Sequence, residues 1–133
     1  MNPQIELEVR RRAGRKCEYC LLHEANSTLR FVVDHILARQ HGGTTTLENL
    51  AVCCGHCNLY KGPNIAGIDT ETGKLTRLYN PRIDSWRQHF RRRGVFLVGL
   101  TPVGRTTAAV LGFNRPGRVR MRRALLALGE LRV

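Results

Sequence analysis

The chain has 133 residues and a formal charge of +12, from 22 Lys and Arg set against 10 Asp and Glu. Lys occurs only at 16, 61 and 74, so the excess is carried by Arg, whose planar guanidinium suits phosphate. The length favours one domain with a modest core, no run of about 18 apolar residues offers a membrane span, and the charge points to nucleic acid or another polyanion.

Residues 3–13 predict a helix, with Asn2 as cap, Pro3 in the first turn and Gly14 as the stop. Ile5, Val9 and Ala13 would share its apolar face. Arg10, Arg11 and Arg12 make another face basic, as a solvated surface or a nucleic-acid contact. A tight turn comes next over 15–20. Leu29 to Val33 is β-branched and apolar enough for a strand, with Asp34 and His35 at its end. Gly42-Gly43 and three threonines mark a loop, and Leu47 to Cys53 returns as a turn and a strand. Cys57 to Lys61 opens a helix that Gly62-Pro63 stops.

Further on, Asp69 to Gly73 reads as a turn and Lys74 to Tyr79 as a strand. Ile83 to Arg93 reads as a helix with Trp86 and Phe90 on one face. Val95–Leu100 and Arg105–Phe113 read as a hairpin around Thr101–Gly104. A last helix runs from Pro116 to near Gly129, with Val119, Met121, Leu125 and Leu128 on its core side.

Four of the five cysteines form two C-x-x-C pairs, Cys17 with Cys20 and Cys54 with Cys57. The start of the chain has no secretory apolar region, so reduced thiolates on a metal are preferred to disulfides, and a cytoplasmic location is expected. Two such pairs close a tetrahedral site with no open position, which is a structural zinc site. A redox motif would not need a second pair, and unrelated buried thiols are the bland alternative. Cys53 is left over and reads as a small buried hydrophobe. His23 and His56 lie close enough to substitute as ligands, but four cysteines leave them no vacancy.

Between the pairs lie Asp34-His35 and Asn49, and Asn58 comes directly after the last cysteine. Phosphodiester hydrolysis needs an activated water and a neutralised phosphate. A His can be the base, and a carboxylate with an amide oxygen can hold a hard cation. Neighbouring strand residues point to opposite faces, so a bend at the strand end would be needed to split the roles of Asp34 and His35. Lys61, three residues beyond Asn58, would face the same way on a helix and reach a phosphate.

These stretches resemble the HNH endonucleases. The resemblance rests on Cys17-x-x-Cys20, Val33-Asp34-His35-Ile36, His41-Gly42-Gly43, Leu47-x-Asn49-Leu50 and Cys54-x-x-Cys57-Asn58-x-x-Lys61-Gly62. It covers residues 17–62. The regions of Pro63–Asp69, Trp86, Gly104-Arg105 and Asn114 also resemble a type of small stand-alone bacterial HNH protein. The resemblance implies an α+β class, with a ββα-metal (His-Me finger) core over 15–62 stapled by a structural zinc on the four paired cysteines. An N-terminal helix at 3–13 and a C-terminal hairpin-and-helix extension at 63–133 would complete one domain over 1–133. It implies His35 as general base, Asp34 and Asn58 as ligands of a catalytic divalent ion, and Asn49 as the residue that orients the loop and the His35 ring. Asn58 stands where the family often has His, an H-N-N version suited to Mg2+ or Mn2+. Ala38 stands where many members carry Pro.

The expected partner is DNA, with RNA sharing the same phosphate electrostatics. Lys61, Arg39 and His41 are the expected contacts nearest the site, and Arg91, Arg92, Arg93, Arg118, Arg120, Arg122 and Arg123 are further candidates. Two other functions compete: a zinc-stapled DNA-binding module that does not cut, and an RNA-directed or toxin-like nuclease. A pure binder has no need of Asp34, His35 and Asn58 together. The sequence leaves both monomer and dimer open.

Overall fold

The computed structural model describes residues 1–133. Helix α1 (Pro3–Ala13) starts where the Asn2 side chain accepts from the Gln4 amide at 2.7 Å, and ends at a left-handed Gly14. Its expected basic face is divided. Arg11 pairs with Glu8 on the surface, whereas Arg10 donates to the Phe31 carbonyl and Arg12 to those of Leu47 and Leu50. Two of the three arginines therefore fasten the helix to the strands that pack on it.

Strand β1 (Val32–His35) pairs antiparallel with β2 (Leu50–Cys53), placing Val32 opposite Cys53 and His35 opposite Leu50. The strand starts three residues later than Leu29 and contains Asp34 and His35 within it. The wholly buried β2 sets this register, while Leu29 is 70% exposed and gains nothing from pairing. Helix α2 (Gly55–Lys61) comes next, with the Cys54 sulfur accepting from the Cys57 amide at its start. Two strands and a helix thus form the expected ββα core.

Beyond Gly62 the agreement is partial. β3 (Ala66–Ile68) and β4 (Leu75–Arg77) make a hairpin, of which only the second strand is legible from alternation. The predicted helix over 83–93 is one turn, α3 (Trp86–His89), and Phe90–Arg93 is strand β5. β5 pairs with β6 (Phe96–Gly99) around a left-handed Gly94, so the hairpin falls earlier than expected. The segment expected to be its second strand is helix α4 (Pro102–Val110). Thr101-Pro102 is not a hairpin turn there but a helix start. The Thr101 hydroxyl accepts from the Gly104 amide at 3.0 Å, and Pro102 occupies the first turn. Gly104 is required at this point, because a Cβ would collide with the His89 carbonyl. Helix α5 (Pro116–Ala127) buries Val119, but also Arg122, and leaves Leu128 exposed.

One buried cluster runs from Val9 through the cysteines to Trp86, Phe90 and Phe113, joining the ββα core to the C-terminal segment. The join falls on the first cysteine turn. Trp86 Nε1 donates to the Tyr19 carbonyl at 2.7 Å, and Arg82 pairs with Glu18. No helix is long and apolar enough to cross a membrane.

Asp69, fully covered at the β3–β4 turn, receives both arms of the Arg105 guanidinium at 2.9 and 3.0 Å. This fork, helped by Thr72 and the Glu71 amide, outweighs burial and holds the Asp69 carboxyl below its ordinary value. A lowered folded-state value means stability that is present above the usual carboxylate range, about 3.9, and is lost as pH falls below it. Thermal midpoints of the wild type should therefore drop more steeply between about pH 5 and pH 2.5 than those of Asp69→Asn. Parallel curves would remove this pair from the acid response.

Candidate active site and metal centre

The four sulfurs of Cys17, Cys20, Cys54 and Cys57 lie within 4.8 Å of one another, all buried. The Cys20 and Cys54 sulfurs are 3.8 Å apart, which is the edge of a tetrahedron with Zn–S bonds of about 2.3 Å. Each C-x-x-C turn points an amide at its first sulfur, Cys20 N to Cys17 at 3.4 Å and Cys57 N to Cys54 at 3.5 Å. Donor type and spacing both fit a zinc ion. Four thiolates carry excess negative charge, and Arg118 answers it from α5. One of its nitrogens lies 3.5 Å from both the Cys20 and Cys54 sulfurs. These two thiols are the ones lowered by their neighbouring sulfurs, while burial pushes Cys17 up. Cys53 stands outside the cluster, buried, with its thiol pushed up by desolvation.

A cleft of about 330 Å³ opens beside this staple. Asp34 and His35 from β1, Arg39 from the turn after it and Asn58 from α2 all line it. No bend separates Asp34 from His35: both lie within β1, and the chain turns only after them, at Ile36 and Leu37. Asn58 is exposed and makes no side-chain hydrogen bond, so its amide oxygen is free. His41 is exposed on the same turn as Arg39 but does not line the cleft.

Asp34 is held from below. Its Oδ2 accepts from the Tyr19 hydroxyl and faces the Lys61 ammonium, each at 3.1 Å. Burial pushes the Asp34 carboxyl up, and Lys61 and Tyr19 oppose this. Its other oxygen, Oδ1, has neither a protein partner nor a place among the fully buried unpaired atoms. One oxygen is thus anchored and the other is left for the cleft. With a free carboxylate oxygen and a free amide oxygen on one cleft, these residues fit a hard divalent cation.

Lys61 departs from its expected place. It is 1% exposed and turns its ammonium to Asp34 and to the His35 carbonyl, at 3.1 Å each, so burial keeps it from a phosphate. Its long stem passes inward through the β1–α2 interface, which a helix-face argument cannot foresee. Lys61→Ala should cost about 3–5 kcal/mol by stranding a buried carboxylate. Urea unfolding measures this, and an unchanged midpoint would contradict the pairing.

Asn49 accepts from the Leu37 amide at 2.8 Å and donates to the carbonyls of Leu37 and Thr44 at 3.0 and 2.8 Å. It therefore ties the loop from Leu37 to Thr44 shut. Gly43 fits against this knot, where a Cβ would collide with the Leu37 carbonyl. The His35 ring is met not by Asn49 but by Thr45, whose hydroxyl lies 2.9 Å from Nε2. In the tautomer that donates Nε2–H to Thr45, Nδ1 keeps the basic lone pair.

Tyr19, Thr45 and Arg118 thus join the site without any motif in the sequence to mark them. An aromatic hydroxyl inside a C-x-x-C turn is the one available hint, since a buried phenol needs a partner. Two of the candidate nucleic-acid contacts move the other way. Arg118 faces sulfur, and the buried Arg122 donates to the carbonyls of Val95 and Phe113.

The ββα core thus carries an Asp-His and an Asn on one cleft, with four buried cysteines clustered in the same core. Residues 17–64 match the HNH endonuclease family. The chain is also similar to the Septu protein PtuB of Bacillus thuringiensis, with 27% identity over 126 residues, 93% of this chain and 46% of that protein. It spans about half the length of this curated relative. No solved structure matches it.

Proposed function

We propose that the chain is a metal-dependent endonuclease that hydrolyses phosphodiester bonds in DNA, folded as one unit over 1–133. The reading rests chiefly on the convergence of Asp34, His35 and Asn58 on one open cleft. His35, through Nδ1, takes a proton from the attacking water. Thr45 fixes its ring, and Asn49 fixes the loop that carries Arg39 and His41. Asp34 and Asn58 would hold a divalent cation, Mg2+ or Mn2+ by ligand hardness, which would supply charge neutralisation for phosphodiester hydrolysis. Arg39, free of any ion pair, receives a neighbouring phosphate at the cleft wall. The four thiolates would hold a zinc ion that fixes the frame. The net charge of +12 draws the polyanion in. Five unpaired thiols suit a reducing compartment such as the cytoplasm.

Incubation with supercoiled plasmid tests the reading. Nicked or linear product that depends on Mg2+ or Mn2+ is the expected result. Tight DNA binding without cleavage under any divalent ion would return the chain to a zinc-stapled binding module. Preferential cutting of RNA in a parallel assay would replace DNA as the substrate.

A further inference from the structure

The largest cavity of the molecule is not the cleft. It is an open groove of about 730 Å³ along β6, walled by α4 and the turn into α5. Its rim carries Arg93, Phe96 and Arg115. Register explains the rim. Phe90 and Leu97 fill the inner face of the β5–β6 hairpin and are fully buried. Arg91 and Arg93 alternate to the outer face, where Arg93 sits opposite Phe96. Phe96 is 46% exposed, although an inward-facing site would have hidden it. None of Arg91, Arg93 and Arg115 enters an ion pair, whereas Arg105 nearby is occupied by Asp69 and Glu71. The groove thus offers an aromatic face between uncompensated cations.

The groove is joined to the cleft by α2. The Arg115 guanidinium lies 4.7 Å over the Tyr60 ring, which stacks on His56 at 4.4 Å. His56 Nε2 in turn meets the Leu111 and Gly112 carbonyls at 3.0 Å, docking α2 on the α4–α5 turn. Successive residues step about 100° around a helix. Asn58 lines the cleft, Tyr60 meets Arg115 of the groove, and Leu59, 76% exposed, lies between them on the helix.

We propose that this groove is a second nucleic-acid subsite that takes an unpaired segment of the strand beyond the cleavage position. A base stacks on Phe96, and phosphates on either side of it meet Arg93 and Arg115. The inference rests on the nuclease reading of the cleft. The unpaired state comes from the chemistry of the rim. A half-exposed aromatic face gains stacking only from a base that is free of its own duplex, and every base has such a face. A duplex would present phosphates alone and leave Phe96 unused. An apolar protein partner would fill the floor but leave the arginines unneutralised.

The test uses the full zinc-loaded chain in a His35→Ala background, with fluorescein-labelled oligothymidylate and a duplex of equal length. Phe96→Ala should weaken single-strand binding about tenfold or more and barely alter duplex binding, and Phe96→Trp should restore it. Arg93→Ala should lower the slope of log affinity against log salt by about one. Phe96→Leu, which keeps the apolar contact without the aromatic face, serves if the alanine variant fails to fold. Unchanged single-strand affinity in a folded Phe96 variant overturns the proposal. So does a change confined to self-association in sedimentation, which would make the groove a protein-contact face. Cleavage by the wild type is read in parallel. Phe96-dependent binding without any cleavage sinks the nuclease reading alone. Cleavage with Phe96-independent binding sinks the subsite alone.

Discussion

His35→Ala is expected to reduce phosphodiester cleavage by about 10²–10⁴-fold, the usual worth of a positioned general base. The fold should survive, because the ring is half-buried and its one side-chain partner is the Thr45 hydroxyl. Binding should survive as well, since affinity for a polyanion comes from the many arginines rather than from one imidazole. The diagnostic pattern is a collapse in turnover with an unchanged dissociation constant and melting midpoint. Thr45→Val makes a finer version of the test. It removes the hydroxyl that orients the ring and should lower the rate while leaving metal affinity intact. If His35→Ala cuts at the wild-type rate, the base lies elsewhere and the proposed chemistry fails.

Zinc removal should be the larger structural insult. Binding of a structural zinc by thiolates is worth about 10–16 kcal/mol at neutral pH, whereas a domain of this size is stable by only about 5–15 kcal/mol. Cys54→Ser is therefore expected to unfold or aggregate the protein, with loss of far-ultraviolet dichroism and of one equivalent of zinc per chain. The damage should spread to the cleft. Tyr19 lies inside the first cysteine turn, and its hydroxyl anchors Asp34. Cys54 begins α2, which carries Asn58 and Lys61. A folded, zinc-free Cys54→Ser protein would remove the structural metal from the account.

These expectations draw unequally on sequence and structure. The α1 helix is legible to the residue, because Asn2, Pro3 and Gly14 are local signals read by the backbone within one turn. The β1–β2–α2 core is legible because its punctuation is local too: Gly-Gly, the threonine run and Gly62-Pro63. Residues 83–113 mislead for a related reason. Trp86 and Phe90 fit a helix face and Arg105–Phe113 fits a strand when each is taken alone. Pairing of Phe90–Arg93 with Phe96–Gly99 overrides the first, and capping by Thr101 overrides the second.

The chemistry available is written in the residues alone: four soft thiolates in two pairs, an Asp-His and an Asn between and beside them, and an arginine excess. Spacing along the chain records these, because ligand turns and caps span only a few residues. Tertiary structure decided how that chemistry is spent. It turned Lys61 inward to Asp34, set Thr45 rather than Asn49 on the His35 ring, gave Arg118 to sulfur and Arg122 to carbonyls, and left Arg93, Phe96 and Arg115 on an open rim. The physical reason is desolvation. A buried charge must find a partner wherever packing brings one, and partners 26 or 98 residues away leave no trace in local spacing.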